Sequence, residues 1–344
     1  MSDLPQPSCL RKRHASLTRR AVLAGAGLLA TTVACQRQSQ SVIVPAQKPR
    51  VTIAKAEAYD DRVYDIVRRA VGQHTTAAGG SLDVKGKRIV LKPNLVEFDP
   101  NTPVNTHPTF VHAVRETFLG MGAAEVLIAE GPGHRRDALD LADAAGYFRT
   151  IRGFEDLFHD LNMEEVTRLP LHNPFSKLSE LYLPKVLLGA DLIVSVAKMK
   201  THHWVGATLT MKNFFGTVPG SIYGWPKNVL HWSGIPECIA DLHNIYPRTF
   251  GIVDGIVGME GNGPIQGTEK FAGVVVTGDD LPAVDATCAR IMGIDPQRFP
   301  YLQLAANHGQ MLAENVHQIG ESIASVQTDF DLFGDHKEWR LPRG

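Results

Sequence analysis

The sequence predicts an α/β fold: a mixed or mostly parallel sheet flanked by helices, with a site at the carboxyl ends of the strands. Three observations lead there. Short apolar runs rich in β-branched residues, such as 87–91, 192–197 and 273–277, read as buried strands. Segments with apolar residues at helical spacing alternate with them, the order that builds βαβ units. Polar residues then stand where apolar runs stop, at Lys92, Glu130, Lys198 and Asp254. In open α/β sheets, that edge is where ligands bind.

Taken in order, residues 50–54 form a short strand and 60–72 a helix, with Val63, Ile66, Val67, Ala70 and Val71 on its apolar face. The strand 87–91 ends in Lys92-Pro93-Asn94. A proline- and asparagine-rich loop, 97–105, leads to a helix over 109–121, with Thr106 as a candidate cap. The strand 125–129 ends in Glu130, and 137–147 is a helix. Short strands are expected at 157–161, 166–169 and 181–183. Beyond residue 230 the pattern gives a helix over 236–246, a strand over 248–253, a strand over 273–277, and helices over 282–292 and 301–307. Asp285 falls in the first turn of its helix, where a carboxylate suits the dipole.

The richest stretch is 190–220. The run 192–197 ends abruptly in Lys198-Met199-Lys200-Thr201-His202-His203. If the extended conformation continues, Lys198, Lys200 and His202 share one face. Residues 203–207 make a hairpin turn, and 208–212 a second extended piece presenting Thr208, Thr210 and Lys212. Asn213 and the following glycines suit an exit loop. Lysine is seldom buried without a partner. The cluster therefore reads as an anion pocket, or as lysine with a lowered pKa acting as base or nucleophile. A solvated strand end is the plainer alternative. Residues 257–264, with Glu260, Gly261 and Gly263, form a glycine-rich turn able to cradle an anion or simply to connect strands. They make no nucleotide-binding glycine motif.

Composition sets the outer bounds. The 344 residues are 44% hydrophobic and 21% charged, an ordinary globular balance. A formal net charge of -1 without a long basic run speaks against nucleic acid as a partner. Cys9, Cys35, Cys238 and Cys288 lack the spacing of an iron–sulfur or zinc-finger site. Cys238 and Cys288 either pair or serve as small buried hydrophobes.

Residues 1–35 read as an address. Thr18-Arg19-Arg20-Ala21-Val22-Leu23 matches a twin-arginine export signal, with a plain secretory signal as the alternative. That implies the twin-arginine export machinery as a partner and a periplasmic or envelope location. Cys35 follows Thr32-Val33-Ala34 as in a bacterial lipobox, although Thr32 stands where leucine is usual. Cys35 is thus a candidate lipidation site. Residues 36–50 form a linker, 51–334 the folded domain and 335–344 a tail.

Lys92-Pro93-Asn94, Lys198-Met199-Lys200-Thr201-His202, Met211-Lys212-Asn213, Asp254-Gly255 and Glu260-Gly261-Asn262-Gly263-Pro264 together resemble the domain-of-unknown-function family 362, over residues 87–300. Some of its members carry ferredoxin-type cysteine clusters, which this chain lacks. The resemblance implies a fold and a site rather than a reaction.

The functional expectation is an exported enzyme acting on a small anionic substrate. Lys198, Lys200, His202 and Asp254 are the catalytic candidates. Lys92, Asn94, Glu130, Lys212, Asn213, Glu260, Gly261 and Gly263 are the ligand-binding ones. Lys92, Glu130, Lys198, Lys200, Lys212 and Asp254 should line one cavity. A metal held by His202, His203 or His231 with Asp254 and Glu260 is a variant, and the sequence names neither metal nor cofactor. A ligand-binding envelope lipoprotein without catalysis is the alternative, and a structural envelope protein a third reading.

Overall fold

The computed structural model describes residues 48–134, 137–305 and 310–342. The export-signal and Cys35 expectations lie outside the described residues. Among the described residues, no helix is long and apolar enough to cross a membrane.

The described residues hold eleven strands: β1 Arg50–Lys55, β2 Arg88–Pro93, β3 Glu125–Glu130, β4 Phe158–Asp160, β5 Val166–Pro170, β6 Glu180–Pro184, β7 Leu192–His202, β8 Gly206–Thr208, β9 Thr249–Glu260, β10 Thr268–Gly278 and β11 His317–Gly320. Nine form one sheet in the order β11-β1-β10-β9-β7-β2-β3-β4, with β8 paired to β7. The block β4-β3-β2-β7-β9 is parallel, so its carboxyl ends share one edge. β10 runs antiparallel to β9 and β1. The sheet is therefore mixed and mostly parallel, as its apolar runs predict. β5 and β6 make a separate two-stranded ribbon.

Helices cover both faces. Arg62–Gly72 and Pro108–Gly120 lie on one side, where Val63, Val67, Phe110 and Phe118 pack with Ile89, Leu91, Val194 and Val196. Ile235–Ile245, Leu281–Ile291 and Pro300–Ala305 lie on the other, against Val90, Ile193, Ala197 and Val253. Alternate residues of β7 thus enter two cores, which is why its sequence is apolar without a polar face. All eleven of its residues are buried.

Three local expectations are corrected. Residues 208–212 are not one extended piece: β8 stops at Thr208, and Thr210–Asn213 is a helical turn. The carboxylate of Asp285 causes this. It accepts from the backbone N–H groups of Thr210 and Met211 at 2.8 and 3.2 Å and from the Thr210 hydroxyl, capping that turn from another helix. Second, β9 does not end at residue 253 but runs on to Glu260, paired with β10 up to Thr268. Its glycines serve close strand approach: a Cβ on Gly258 would sit 2.6 Å from the Met199 carbonyl oxygen. Third, His107, not Thr106, caps the helix Pro108–Gly120, its ring accepting from Thr109 N–H. The Thr106 hydroxyl donates to Val196 O and accepts from Asn94 N–H, tying the loop to two strands. Cys238 and Cys288 are buried free thiols.

Candidate functional site

At the shared carboxyl edge lies a cavity of about 560 Å³. Its floor begins with Lys92 and Glu130, at the ends of neighbouring strands. Lys92 Nζ donates to Glu130 Oε2 at 2.5 Å, and both side chains are almost fully buried. Glu130 also accepts Leu95 N–H and Gly131 N–H, at 2.9 and 2.8 Å. Both oxygens of this carboxylate therefore accept hydrogen bonds before any ligand arrives.

Asn213 fixes the geometry. Its Oδ1 accepts from Lys92 Nζ and from Asn94 Nδ2, while its own Nδ2 donates to Lys92 O and Ser195 Oγ. Four bonds leave one orientation of the amide. Asn94 Oδ1 is buried without a protein partner and belongs to a residue lining the cavity.

Three further lysines reach the cavity. Lys200 is fully buried, and Nζ donates at 2.8 Å to Val104 O, a neutral carbonyl. Burial, then the neighbouring Lys212 and Lys198, hold its pKa well below the ordinary lysine value. Lys212 sits half-buried on the wall with Nζ 3.8 Å from the Phe215 ring centroid. Burial and Lys92 bring it down to about 7. Lys227, a residue that sequence reasoning missed, is buried with a left-handed φ of 68°. It donates to Asn162 Oδ1 and Val218 O, and burial lowers it to about 7. Only its position in a loop between Trp225 and His231 hinted at it.

Four imidazoles border the same space, His134, His202, His203 and His231, and the last three show two tautomeric settings. Trp204 N–H donates to His202 Nδ1 at 3.1 Å. Burial, with Lys212 next, pushes the His202 pKa well down, so the ring is neutral with its proton on Nε2. His202 is thus a hydrogen-bond donor to the cavity rather than a base. His203 Nδ1 donates to Gly263 O, and His231 Nδ1 donates to Lys227 O. Burial lowers the His231 pKa, so its ring is neutral with a lone pair on Nε2. Trp204, 57% exposed, completes the rim.

Lys198 and Asp254 do not line this cavity, contrary to expectation. Lys198 Nζ donates to Asp254 Oδ2 at 2.9 Å and to Tyr59 OH at 2.8 Å. The Tyr59 hydroxyl donates to Asp254 Oδ1, and His107 N–H donates to Oδ2. Burial, then the Asp254 charge, raise the Tyr59 pKa well above its usual value, keeping that proton in place. Tyr59 stacks on the His107 ring at 3.8 Å. Lys198 Nζ, the Tyr59 hydroxyl and both Asp254 oxygens are thus engaged with one another, and neither Lys198 nor Asp254 is among the residues lining the cavity.

Glu260 is also elsewhere, paired with Lys270 at 3.1 Å and accepting Asp331 N–H. The anion-cradle expectation for Gly261 and Gly263 is corrected too. Gly261 N–H donates to Asp331 O, and Gly263 N–H to Gly261 O. Gly263 lies against Thr201, where a Cβ would fall 2.0 Å from the carbonyl oxygen. Asn262 and Pro264 of that turn line the cavity instead. With Asp254 and Glu260 placed away, the mixed histidine–carboxylate metal set does not assemble. Among the described residues, no three His, Cys, Asp or Glu side chains are grouped to hold a metal ion.

The fold and cavity define an α/β protein with a lysine-rich cleft at its strand ends. Residues 89–290 match the domain of unknown function DUF362, and the chain belongs to that family. It is 26% identical over 227 residues to a thylakoid-associated protein of Synechocystis sp., covering 64% of this chain and 68% of that one. Among solved structures it is similar to the lactate racemase apoprotein of Thermoanaerobacterium thermosaccharolyticum, at 16% identity and a TM-score of 0.39. A crystal structure of a Thermotoga maritima protein gives 13% identity and a TM-score of 0.40. These two matches cover 65% and 74% of this chain, which spans 54% and 60% of the respective structures.

Proposed function

We propose that this chain is an exported enzyme acting on a small anionic substrate held in the lysine-lined cavity. One observation carries the reading. Four lysines meet there with two carboxylates, Glu97 and Glu130, and Glu130 is already bound to Lys92 and two backbone N–H groups. An amine buried without a counter-charge is unfavourable, and an anionic ligand supplies what is missing. Lys200, Lys212 and Lys227 would face the ligand's negative charge, taking up protons as it binds. His202 would donate from Nε2, and His231 would accept a proton at Nε2. Asp254 and Lys198 hold the strand ends in place and touch no ligand.

The test is thermal unfolding and calorimetry with small carboxylates and with inorganic phosphate. The wild-type protein should be stabilised by at least one of them, and Lys200→Met should bind it at least tenfold more weakly. Turnover lost in His231→Ala with binding retained supports an enzyme, whereas binding without turnover of any bound carboxylate supports a capture protein. No stabilisation by any anion would sink the reading. Export is tested separately by cell fractionation: Arg19→Lys with Arg20→Lys should leave the protein in the cytoplasm, and Cys35→Ser should remove lipid if Cys35 carries it.

A further inference from the structure

The four cavity lysines differ in what their amines touch. Lys92 faces Glu130, Lys200 donates to Val104 O, and Lys227 donates to Asn162 and Val218. Lys212 has no hydrogen-bond acceptor among the described residues, and its Nζ rests on the face of Phe215. The same ring meets His231 edge-on, with centroids 5.6 Å apart. His231 donates from Nδ1 to Lys227 O, which leaves Nε2 as the ring's base, and the Lys212 charge acts on this ring.

We propose that Lys212 is an imine-forming lysine and that the cavity takes a small α-oxo acid. This rests on the anion reading above: the surrounding lysines hold the carboxylate while Lys212 meets the adjacent carbonyl. An imine-forming lysine needs a free amine, an apolar setting and a nearby proton carrier. A lysine meant only to bind charge has acceptors that favour its ammonium form, and Lys212 has none. The Phe215 face favours the ammonium, yet burial and Lys92 prevail, with the pKa lowered to about 7. The charged and titratable groups around it are Lys92, Glu130, Lys200, His202 and His231.

The chemistry balances without a redox partner. The Nζ lone pair bonds the carbonyl carbon, and the C=O π pair moves to oxygen. His231 Nε2 takes a proton from nitrogen and passes it to that oxygen, giving a neutral carbinolamine. The C–O bond then breaks with a solvent proton delivered to the hydroxyl, and water leaves. One amine, one carbonyl and one proton give one protonated imine and one water.

The experiment treats the full folded chain with pyruvate and sodium cyanoborohydride at pH 7, followed by intact mass and peptide mapping, with lactate as a competitor lacking the carbonyl. A single reduced adduct on Lys212, slowed by lactate and absent in Lys212→Arg, is the expected result. At pH 7 the free-amine fraction of Lys212 is roughly a thousandfold that of a surface lysine, so its labelling should be much the faster. Stabilisation by lactate without a pyruvate adduct overturns the imine and leaves the anion reading intact. An adduct on Lys200 instead overturns the assignment to Lys212. Slow adducts scattered over surface lysines, with no response to lactate, overturn both. The wild-type mapping stands even if the variant does not fold.

Discussion

Lys198 and Lys200 stand two residues apart on one face of β7, both buried, and their surroundings are opposite. Lys198 meets a carboxylate and a tyrosine hydroxyl that is itself fixed by that carboxylate. Lys200 meets one backbone carbonyl and three other lysines, with Glu130 acting on it only without a hydrogen bond. A buried charge with its partners in place is part of the scaffold. A buried amine without a counter-ion is kept at a cost that packing alone does not explain, and so belongs to a binding function.

The sharpest way to break this comparison is to remove the partner from the closed pair. Asp254→Asn leaves Lys198 buried without a counter-charge and should cost about 3–5 kcal/mol in urea unfolding. A loss below about 1 kcal/mol would show that the pair is not what holds this edge. Next, Gly216→Ala places a Cβ 2.1 Å from Glu130 Oε1 and 2.5 Å from Lys92 Nζ. It should separate that pair, lower stability by about 1–3 kcal/mol and weaken anion binding with it.

The pH dependence of stability sharpens the contrast. Lys212 and Lys227 titrate at about 7 in the folded chain and near 10.4 when unfolded. Between those values the unfolded state binds more protons. Stability should therefore rise with pH above 7, by at most about 1.4 kcal/mol per unit for each lysine. Below 7 both states carry the proton and this contribution is flat. Buried Asp285, raised to about 7 by burial, acts in the window below. There the folded state binds the extra proton, so the Asp285 contribution falls as pH climbs from about 4 to 7. His74, His107 and His243, which burial lowers to about 4, act with the opposite sign between about 4 and 6.5, so the test is made above them: unfolding midpoints should climb from about pH 7 to 9.5. A saturating anion or Lys227→Met should flatten that climb. The smallest effect belongs to Lys200→Met, which should shift stability by less than about 1 kcal/mol in either direction, since only one neutral hydrogen bond is lost. A loss matching that of Asp254→Asn would erase the distinction between the two lysines.

The switch from apolar run to Lys92, Glu130 or Lys198 is a local signal, and the strand ends are therefore legible in sequence. What those residues touch is not. Lys198 and Lys200 look alike until Tyr59 and Asp254 are brought beside one of them. The glycines after Asp254 suggest a turn, yet pairing with β10 keeps them extended to Glu260, carrying that carboxylate away from the cavity. Asp285 reads as an ordinary helix-start residue because the turn it caps is 75 residues away. Lys227 is a lone loop lysine in sequence, and its burial depends on Asn162 and Val218. The histidine tautomers follow from backbone groups that only the fold supplies.

The cluster joining Tyr59, Lys198 and Asp254 has a kinetic meaning as well. Its bonds close chain loops of 139, 56 and 195 residues. Such long-range closures cannot form early, because the entropy of bringing distant segments together must be met before any contact rewards it. The edge that carries the cavity is thus completed late in folding, and no fragment ending before residue 254 contains it. A single proteolytic nick that frees either end of this span should abolish ligand response at a stage when most of the secondary structure still stands.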